Sequence, residues 1–226
     1  MTDTQNQTKT VPPRHYPTPG AKCADLVVHV VGLTLALVGG GLLLAFSARL
    51  DSIGAQAAVA VYAVGLLLML AFSTAYNFAK PQFRPTLRRL DHAGIFLMIA
   101  ASYTPFTTQA LSGAWAWGMT AAVWTIALLG VAGKLFLRGL DKRFWVGVYL
   151  ALGWLVVVAL KPMIAGLSSV ALTLLAIGGV VYSVGVLFYV NKRLPFARAI
   201  WHGHVVAGAG VHWTAVLIGV VLAAPR

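Results

Sequence analysis

The sequence predicts an all-α integral membrane protein, a bundle of seven transmembrane helices with its N-terminus inside the cell and its C-terminus outside. The first observation is composition, because 59% of the 226 residues are hydrophobic and 10% are charged, with a mean hydropathy of +0.83. Soluble proteins average about 25% charged residues. The second observation is that basic residues fall in alternate gaps between long apolar stretches. Polytopic membrane proteins show this alternation because basic loops resist translocation and stay cytoplasmic.

Each apolar stretch is interpreted as one crossing, since about 20 residues of helix cover the ~30 Å hydrocarbon core. The fifth predicted crossing is the shortest, and the Lys161-Pro162 dipeptide sets its predicted end. Residues 1–22 are polar and Pro-rich and predict a disordered cytoplasmic tail, so that residues 23–226 form one seven-helix membrane domain. The predicted crossings, in chain order, are 24–46, 56–78, 90–110, 115–136, 144–161, 167–190 and 200–222.

The distribution of basic residues sets the predicted orientation. Arg49, Lys161 and Arg226 lie on the predicted outer side, and the other 14 of the 17 basic residues lie on the inner side. The net charge of +12 does not indicate nucleic-acid binding, because it is divided among loops that membrane-length apolar runs separate. Membrane lipids with anionic headgroups are the expected partners. The inner-side residues are Lys9, Arg14, Lys22, Lys80, Arg84, Arg88, Arg89, Lys134, Arg138, Lys142, Arg143, Lys192, Arg193 and Arg198.

Polar residues near the inner ends of three crossings form the candidate site. Ionisable groups inside a membrane are costly, so each one is a candidate for function. Residues four apart share a helix face, which pairs Ser73 with Asn77 and Arg198 with His202. With Asp91 at the start of the third crossing, these residues are predicted to cluster near the cytoplasmic face. From the residues alone, the cluster is either a polar clamp between helices or a functional site.

Three segments carry a family resemblance: FSTAYN (72–77), RRLDHAGIFLMIAASYTPF (88–106) and ARAIWHGHVVAGAGVHW (197–213). They resemble the hemolysin III family, the bacterial branch of the progestin and adipoQ receptor proteins, and the resemblance extends over about residues 22–220. It implies a multi-pass protein of the bacterial cytoplasmic (inner) membrane. It also implies a zinc site near the cytoplasmic face, held by three histidines, and lipid-amide hydrolysis of the kind that membrane ceramidases perform.

The sequence departs from the family's zinc pattern. Ser73 and Asp91 match family positions and would be the catalytic residues of an active enzyme, but two ligand positions hold Asn77 and Arg198. Arginine cannot ligate zinc because its guanidinium stays protonated, and asparagine is a poor ligand beside imidazoles. Only His202 remains as a candidate metal ligand. In the first crossing, His29 is present, and Asp25 stands where relatives usually carry asparagine.

These substitutions predict a degenerate site in which Arg198 pairs with Asp91 and no cofactor is bound. The alternative is a site that binds zinc. Three functions stay open. The first is a metal-independent bundle with a structural, sensory or lipid-regulatory role. The second is a zinc-dependent lipid-amide hydrolase with unusual ligands. The third is a pore or transporter, against which the sequence shows no paired Gly/Pro interruptions in repeated halves.

Overall fold

Helices account for nearly all of the chain that the computed structural model describes, namely residues 15–137, 139–191 and 193–223. The described ranges contain no strand. Two short 3₁₀ turns, Pro81–Phe83 and Leu155–Ala159, and a π-helical turn at Leu217–Val221 complete the regular structure. The α-helices are α1 Pro19–Ser47, α2 Ile53–Phe78, α3 Arg84–Gln109, α4 Gly113–Phe136, α5 Lys142–Gly153, α6 Leu160–Gly166, α7 Ser169–Val190 and α8 Ala197–Val216.

Local capping explains where several helices begin. The side chains of Thr18, Ser52 and Ser168 each accept a hydrogen bond from the backbone N–H three residues on, at 3.1–3.2 Å. Such caps satisfy one of the otherwise unpaired N–H groups of a helix start. Pro19 follows Thr18 at the first helical position, where its missing N–H costs nothing. Helix α1 therefore begins four residues before the predicted domain boundary at residue 23, and residues 1–14 of the predicted tail lie outside the described residues.

Among the described residues, six helical segments are long and apolar enough to cross a membrane: α1, α2, α4, α5 with α6, α7, and α8 with its π-helical turn. The remaining long helix, α3, has 26 residues and is about 39 Å long. Its first turns carry four charged residues, which lower its hydropathy: Arg84, Arg88, Arg89 and Asp91. The structure is thus that of a helical membrane protein with six apolar spans, and the count of seven crossings and their orientation stay predictions.

The segment predicted to be the fifth crossing is discontinuous, and its helical residues extend beyond the predicted range 144–161. Helix α5 ends at Gly153, and α6 carries the chain through Lys161 and Pro162 to Gly166. The Tyr103 hydroxyl of α3 fills the break: it lies 2.8 Å from the carbonyl oxygen of Gly153 and accepts a 2.8 Å hydrogen bond from the Val156 N–H. Backbone polar groups at membrane depth need protein partners, so Tyr103 makes the break tolerable.

Small residues bring α1, α2, α3 and α8 close together. A Cβ placed on Gly32 would come within 2.7 Å of Val206 on α8. The Trp213 indole of α8 donates a 2.9 Å hydrogen bond to the carbonyl oxygen of Gly39 on α1. Close approach at small residues is the usual way that helices associate in lipid. This packing sets the starts of α1 and α8 beside the end of α2, where the polar residues lie.

Candidate functional site

Three pairs of polar residues, one pair on each of three helices, form the site. Asp25 and His29 lie near the start of α1, Ser73 and Asn77 near the end of α2, and Arg198 and His202 near the start of α8. Each pair is four residues apart and so presents both side chains on one face. All three faces meet at the same end of the bundle, where the N-terminal segment enters.

Asp25 is the centre of the site and is fully buried, with 0% exposure. Its Oδ1 lies 2.6 Å from His202 Nδ1, and its Oδ2 accepts a 2.5 Å hydrogen bond from the Tyr16 hydroxyl. His29 Nδ1 donates to the Asp25 backbone carbonyl oxygen at 2.8 Å, which leaves His29 Nε2 facing Ser73 Oγ at 3.3 Å. The carboxylate that pairs with His202 therefore belongs to α1. The sequence interpretation placed Asp25 at a span border and left it out of the cluster.

Arg198 does not pair with Asp91, contrary to prediction. Its Nη1 donates to Asn77 Oδ1 at 3.0 Å, and its Cζ lies 5.4 Å from the centre of the Tyr16 ring. Within the described ranges, both carboxylate–imidazole contacts shorter than 4.0 Å, with His29 and with His202, belong to Asp25. The physical reason is local. The amide oxygen of Asn77 and the face of the Tyr16 ring already interact with the guanidinium, so a carboxylate is not required to stabilise it.

Two residues of the predicted tail complete the site. Tyr16 is 9% exposed, and its ring stacks on Phe78 with centroids 6.1 Å apart. His15 Nε2 lies 3.2 Å from Arg198 Nη1 and 3.3 Å from Asn77 Oδ1. Sequence reasoning missed both, although a His-Tyr pair that only Pro17 separates from the Thr18-Pro19 helix start is an unusual feature of a polar tail.

The tail residues have shifted proton affinities. Burial, reinforced by the charges of Arg198 and Arg84, lowers the pKa of His15 to about 4. Burial, reinforced by the hydrogen bond to Asp25, raises the pKa of Tyr16 above its usual value. His15 is therefore neutral at pH 7, and its Nε2 accepts a hydrogen bond from Arg198. Because that nitrogen then carries no proton, the approach of His15 to Asn77 Oδ1 is a contact and not a hydrogen bond.

A cavity of about 730 Å³ opens inside the bundle from this site. Its deeper walls are apolar and aromatic, with Met69, Met98, Tyr103 and Tyr182 among them. The five residues of the sequence-predicted cluster all lie on its wall: Ser73, Asn77, Asp91, Arg198 and His202. Asp25 does not line the cavity, but its Oδ1 contacts Nδ1 of His202, which does.

The residues at the family's zinc positions do not fit zinc. Of Asn77, Arg198 and His202, only the last is an imidazole, and its Nδ1 faces Asp25. A different set could hold a metal: the ligand atoms of Asp25, His29 and His202 all lie within 4.8 Å of one another. Zinc–nitrogen bonds of 2.0–2.1 Å place neighbouring ligand atoms of a tetrahedral site about 3.3 Å apart. The 2.6 Å contact between Asp25 and His202 is shorter, so a metal would have to open that hydrogen bond.

Comparison with known proteins gives one consistent relationship. The family model described as "Haemolysin-III related" matches residues 23–213. The chain is similar to the hemolysin-3 homolog of Bacillus subtilis (strain 168), at 34% identity over 198 residues, 86% of this chain and 92% of that protein. It is similar to hemolysin-3 of Bacillus cereus, at 33% identity over 199 residues, 88% and 91% of the two chains. It is also similar to the human monocyte to macrophage differentiation factor, at 28% identity over 211 residues, 90% and 86% of the two chains.

Proposed function

The chain belongs to the haemolysin-III related family, whose model matches residues 23–213, and from that premise we propose that it is a metal-independent, lipid-binding membrane protein with a sensory or lipid-regulatory role. We further propose that it resides in the bacterial cytoplasmic membrane with seven crossings and an inside N-terminus. The charge distribution along the sequence supports this orientation. The family match and the six apolar spans of the described residues support the general description of the chain as a multi-pass helical membrane protein of this family.

One observation carries the metal-independent role: the Arg198 guanidinium lies in the site and donates to Asn77. Arg198 and His202 share a face of α8, so a cation held by the His202 imidazole would lie beside a permanent positive charge. Like charges at close range in a low-dielectric site repel strongly. Ser73 and Asp91 keep their family positions, and in a metal-dependent enzyme a bound metal would lower the pKa of a water molecule beside them. They serve here as polar groups of the cavity wall.

The cavity supports lipid as the ligand class. Its volume of about 730 Å³ lies within the usual 300–1,000 Å³ of small-molecule sites. One end carries the basic side chains of Arg88, Lys142 and Arg198 against the single carboxylate of Asp91, counting the described lining residues. Most of the remaining lining residues are apolar or aromatic. A charged end joined to an apolar body matches an amphiphile with a polar head and a hydrocarbon chain.

A zinc-dependent lipid-amide hydrolase is the second candidate, and the buried cluster of Asp25, His29 and His202 is the observation that favours it. Carboxylate and imidazole are ligand types that zinc uses in catalytic sites. When bound there, the metal would supply a Lewis acid for water activation, and Asp25, His29 and His202 would hold it. A transporter is less well supported, because the described crossings contain the single α5–α6 break, whereas transporter folds carry breaks in corresponding positions of two halves.

Metal and lipid analysis of the purified full chain tests both candidates. We expect well under one zinc per chain by elemental mass spectrometry, and co-extracted lipid by mass spectrometry of the detergent complex. One zinc per chain in the wild type, lost in His202→Ala, would favour the hydrolase instead. His204→Ala is the matched control, since His204 lies on the same helix but bonds to the Ile200 carbonyl oxygen and stacks on Phe188.

A further inference from the structure

His15, Tyr16 and Pro17, which precede α1, line the polar end of the cavity. We infer that His15 and Tyr16 form a cap on a headgroup subsite for an anionic amphiphile, built around Arg198 and Asn77, and that the seated cap and the bound headgroup exclude each other. This cap depends on the proposed lipid-binding function. It adds to that function a negatively charged ligand headgroup and a chain segment that controls entry of the ligand into the cavity.

Tyr16 anchors the cap. Its hydroxyl donates to Asp25 Oδ2 at 2.5 Å, and a hydrogen bond to an ionised carboxylate is of the stronger kind. Its ring stacks on Phe78, at the end of α2, and lies beneath the Arg198 guanidinium. The segment is therefore seated by contacts with α1, α2 and α8 together.

His15 occupies the position that suits an anion. Its neutral Nε2 accepts from Arg198 Nη1 at 3.2 Å, and its ring meets Tyr76 edge-on with centroids 5.3 Å apart. A guanidinium has five N–H donors in a planar fork that matches carboxylate and phosphate oxygens. Both hydrogen bonds of Arg198 within the described residues come from Nη1. A neutral imidazole therefore satisfies Arg198 less completely than an anionic headgroup would.

The cap can move without unfolding a helix. Thr18 is extended, with φ −139° and ψ 157°, and the helix proper begins at Pro19. Only Pro17 and Thr18 separate the cap from that fixed start. His15 and Tyr16 also line the same cavity as Arg198, and a headgroup oxygen that binds Nη1 where His15 Nε2 now lies must displace His15.

Binding and proteolysis of the purified full chain test this inference together. The probes are a fluorescent single-chain alkyl phosphate and the matching alkyl carboxylate, which distinguish the two sources of anionic oxygen, with a neutral alkyl alcohol for comparison. We expect His15→Ala combined with Tyr16→Phe to bind the anionic probes about tenfold more tightly, since loss of a competing state raises apparent affinity. Arg198→Gln should abolish the preference for anionic over neutral probes. Lys22→Ala, an exposed residue near the start of α1, should change neither.

A second measurement needs no variant. The bond between Arg14 and His15 is a trypsin site, and we expect saturating anionic probe to accelerate its cleavage in the wild-type chain. Probe binding with unchanged cleavage, or equal or weaker binding by the double variant, would reject the cap while leaving the lipid-binding function standing. Failure of every probe to bind every variant would reject the lipid-binding function, and the cap with it.

Discussion

At the scale of single residues, the site contains one buried acid and one arginine where the family pattern has neither. Asp25 is hydrogen-bonded by His202 Nδ1 and by the Tyr16 hydroxyl, and the Arg198 guanidinium contacts Asn77 and the Tyr16 ring. Removing one member of a buried charged network leaves the other uncompensated. The two substitutions thus belong to one rearranged network, whose residue types could be read from the sequence. The hydrogen-bond partners could not be predicted from the sequence. They depend on the rotational orientation of α1 and α8 in the bundle and on where the N-terminal tail enters it.

Restoring the family's imidazoles should create a zinc site. In Asn77→His combined with Arg198→His, three imidazoles including His202 would face one another, and the fixed charge would be gone. His202 Nδ1 already faces Asp25, which leaves Nε2 for a metal and provides the carboxylate partner that zinc-bound histidines commonly have. We expect zinc content to rise from well under one to about one atom per chain by elemental analysis. Adding His202→Ala should abolish it; zinc that persists in this triple variant would contradict the ligand assignment.

The proton affinity of His15 should report whether the tail is seated. The charged groups that face it are Asp25 on α1, Arg84 on α3 and Arg198 on α8, and the seated pKa is about 4, against about 6.5 for a free histidine. Because the unseated form binds the proton more tightly, seating is strongest above about pH 6.5 and weakens as pH falls from there towards about 4. NMR of histidine-labelled protein should show one resonance, absent in His15→Ala, with its midpoint near the lower value. Tyr16→Ala should move that midpoint upwards; a wild-type midpoint near 6.5 would mean that the tail is not seated.

At the scale of elements, the long apolar runs gave reliable predictions because helix formation in lipid depends mainly on local hydropathy and length. The end of the predicted fifth crossing was wrong because it was assigned from local hydropathy alone. Lys161 and Pro162 look like an end when read locally, yet α6 continues to Gly166. What makes this possible is a side chain from another helix, the Tyr103 hydroxyl between α5 and α6. A partner about 50 residues away in the chain leaves no local signal.

Removing that hydroxyl should weaken the bundle. Tyr103→Phe leaves the Val156 N–H and the carbonyl oxygens of Leu152 and Gly153 without this partner. Buried polar groups left unsatisfied cost about 1–3 kcal/mol each, so we expect a clear fall in the midpoint of thermal unfolding in detergent. Tyr62→Phe is the control, since it loses one 3.3 Å hydrogen bond to the Ala209 carbonyl oxygen. Equal losses in the two variants would show that the break does not depend on Tyr103.

At the scale of the whole molecule, the distribution of basic residues predicts that the chain's two ends lie on opposite sides of the membrane. Of the 17 basic residues, 14 are predicted to lie on the inner side of the membrane, and Arg49, Lys161 and Arg226 are predicted to lie on the outer side. The number of crossings depends on whether α3 crosses the membrane. This helix has the length of a crossing but carries four charged residues in its first turns.

Reporter fusions test this topology. Alkaline phosphatase fused after Arg226 should be active, because an odd number of crossings places it outside, and a fusion at Arg138 should be inactive. Green fluorescent protein at the same two positions is the complementary control, fluorescent only in the second. A C-terminus on the cytoplasmic side would require an even number of crossings and would remove α3 or another helix from the count.

The broken fifth crossing also has a consequence for how the chain is made. Synthesis runs from the N-terminus, so α3 leaves the ribosome before α5 and α6 do. When the interrupted segment reaches the bilayer, its exposed backbone groups near residue 154 would be stranded in hydrocarbon unless a partner were already there. Tyr103 is that partner, and it has been translated some 50 residues earlier. Biogenesis of the second half of the bundle therefore depends on the first, and a nascent chain that lacks α3 should insert its fifth segment poorly.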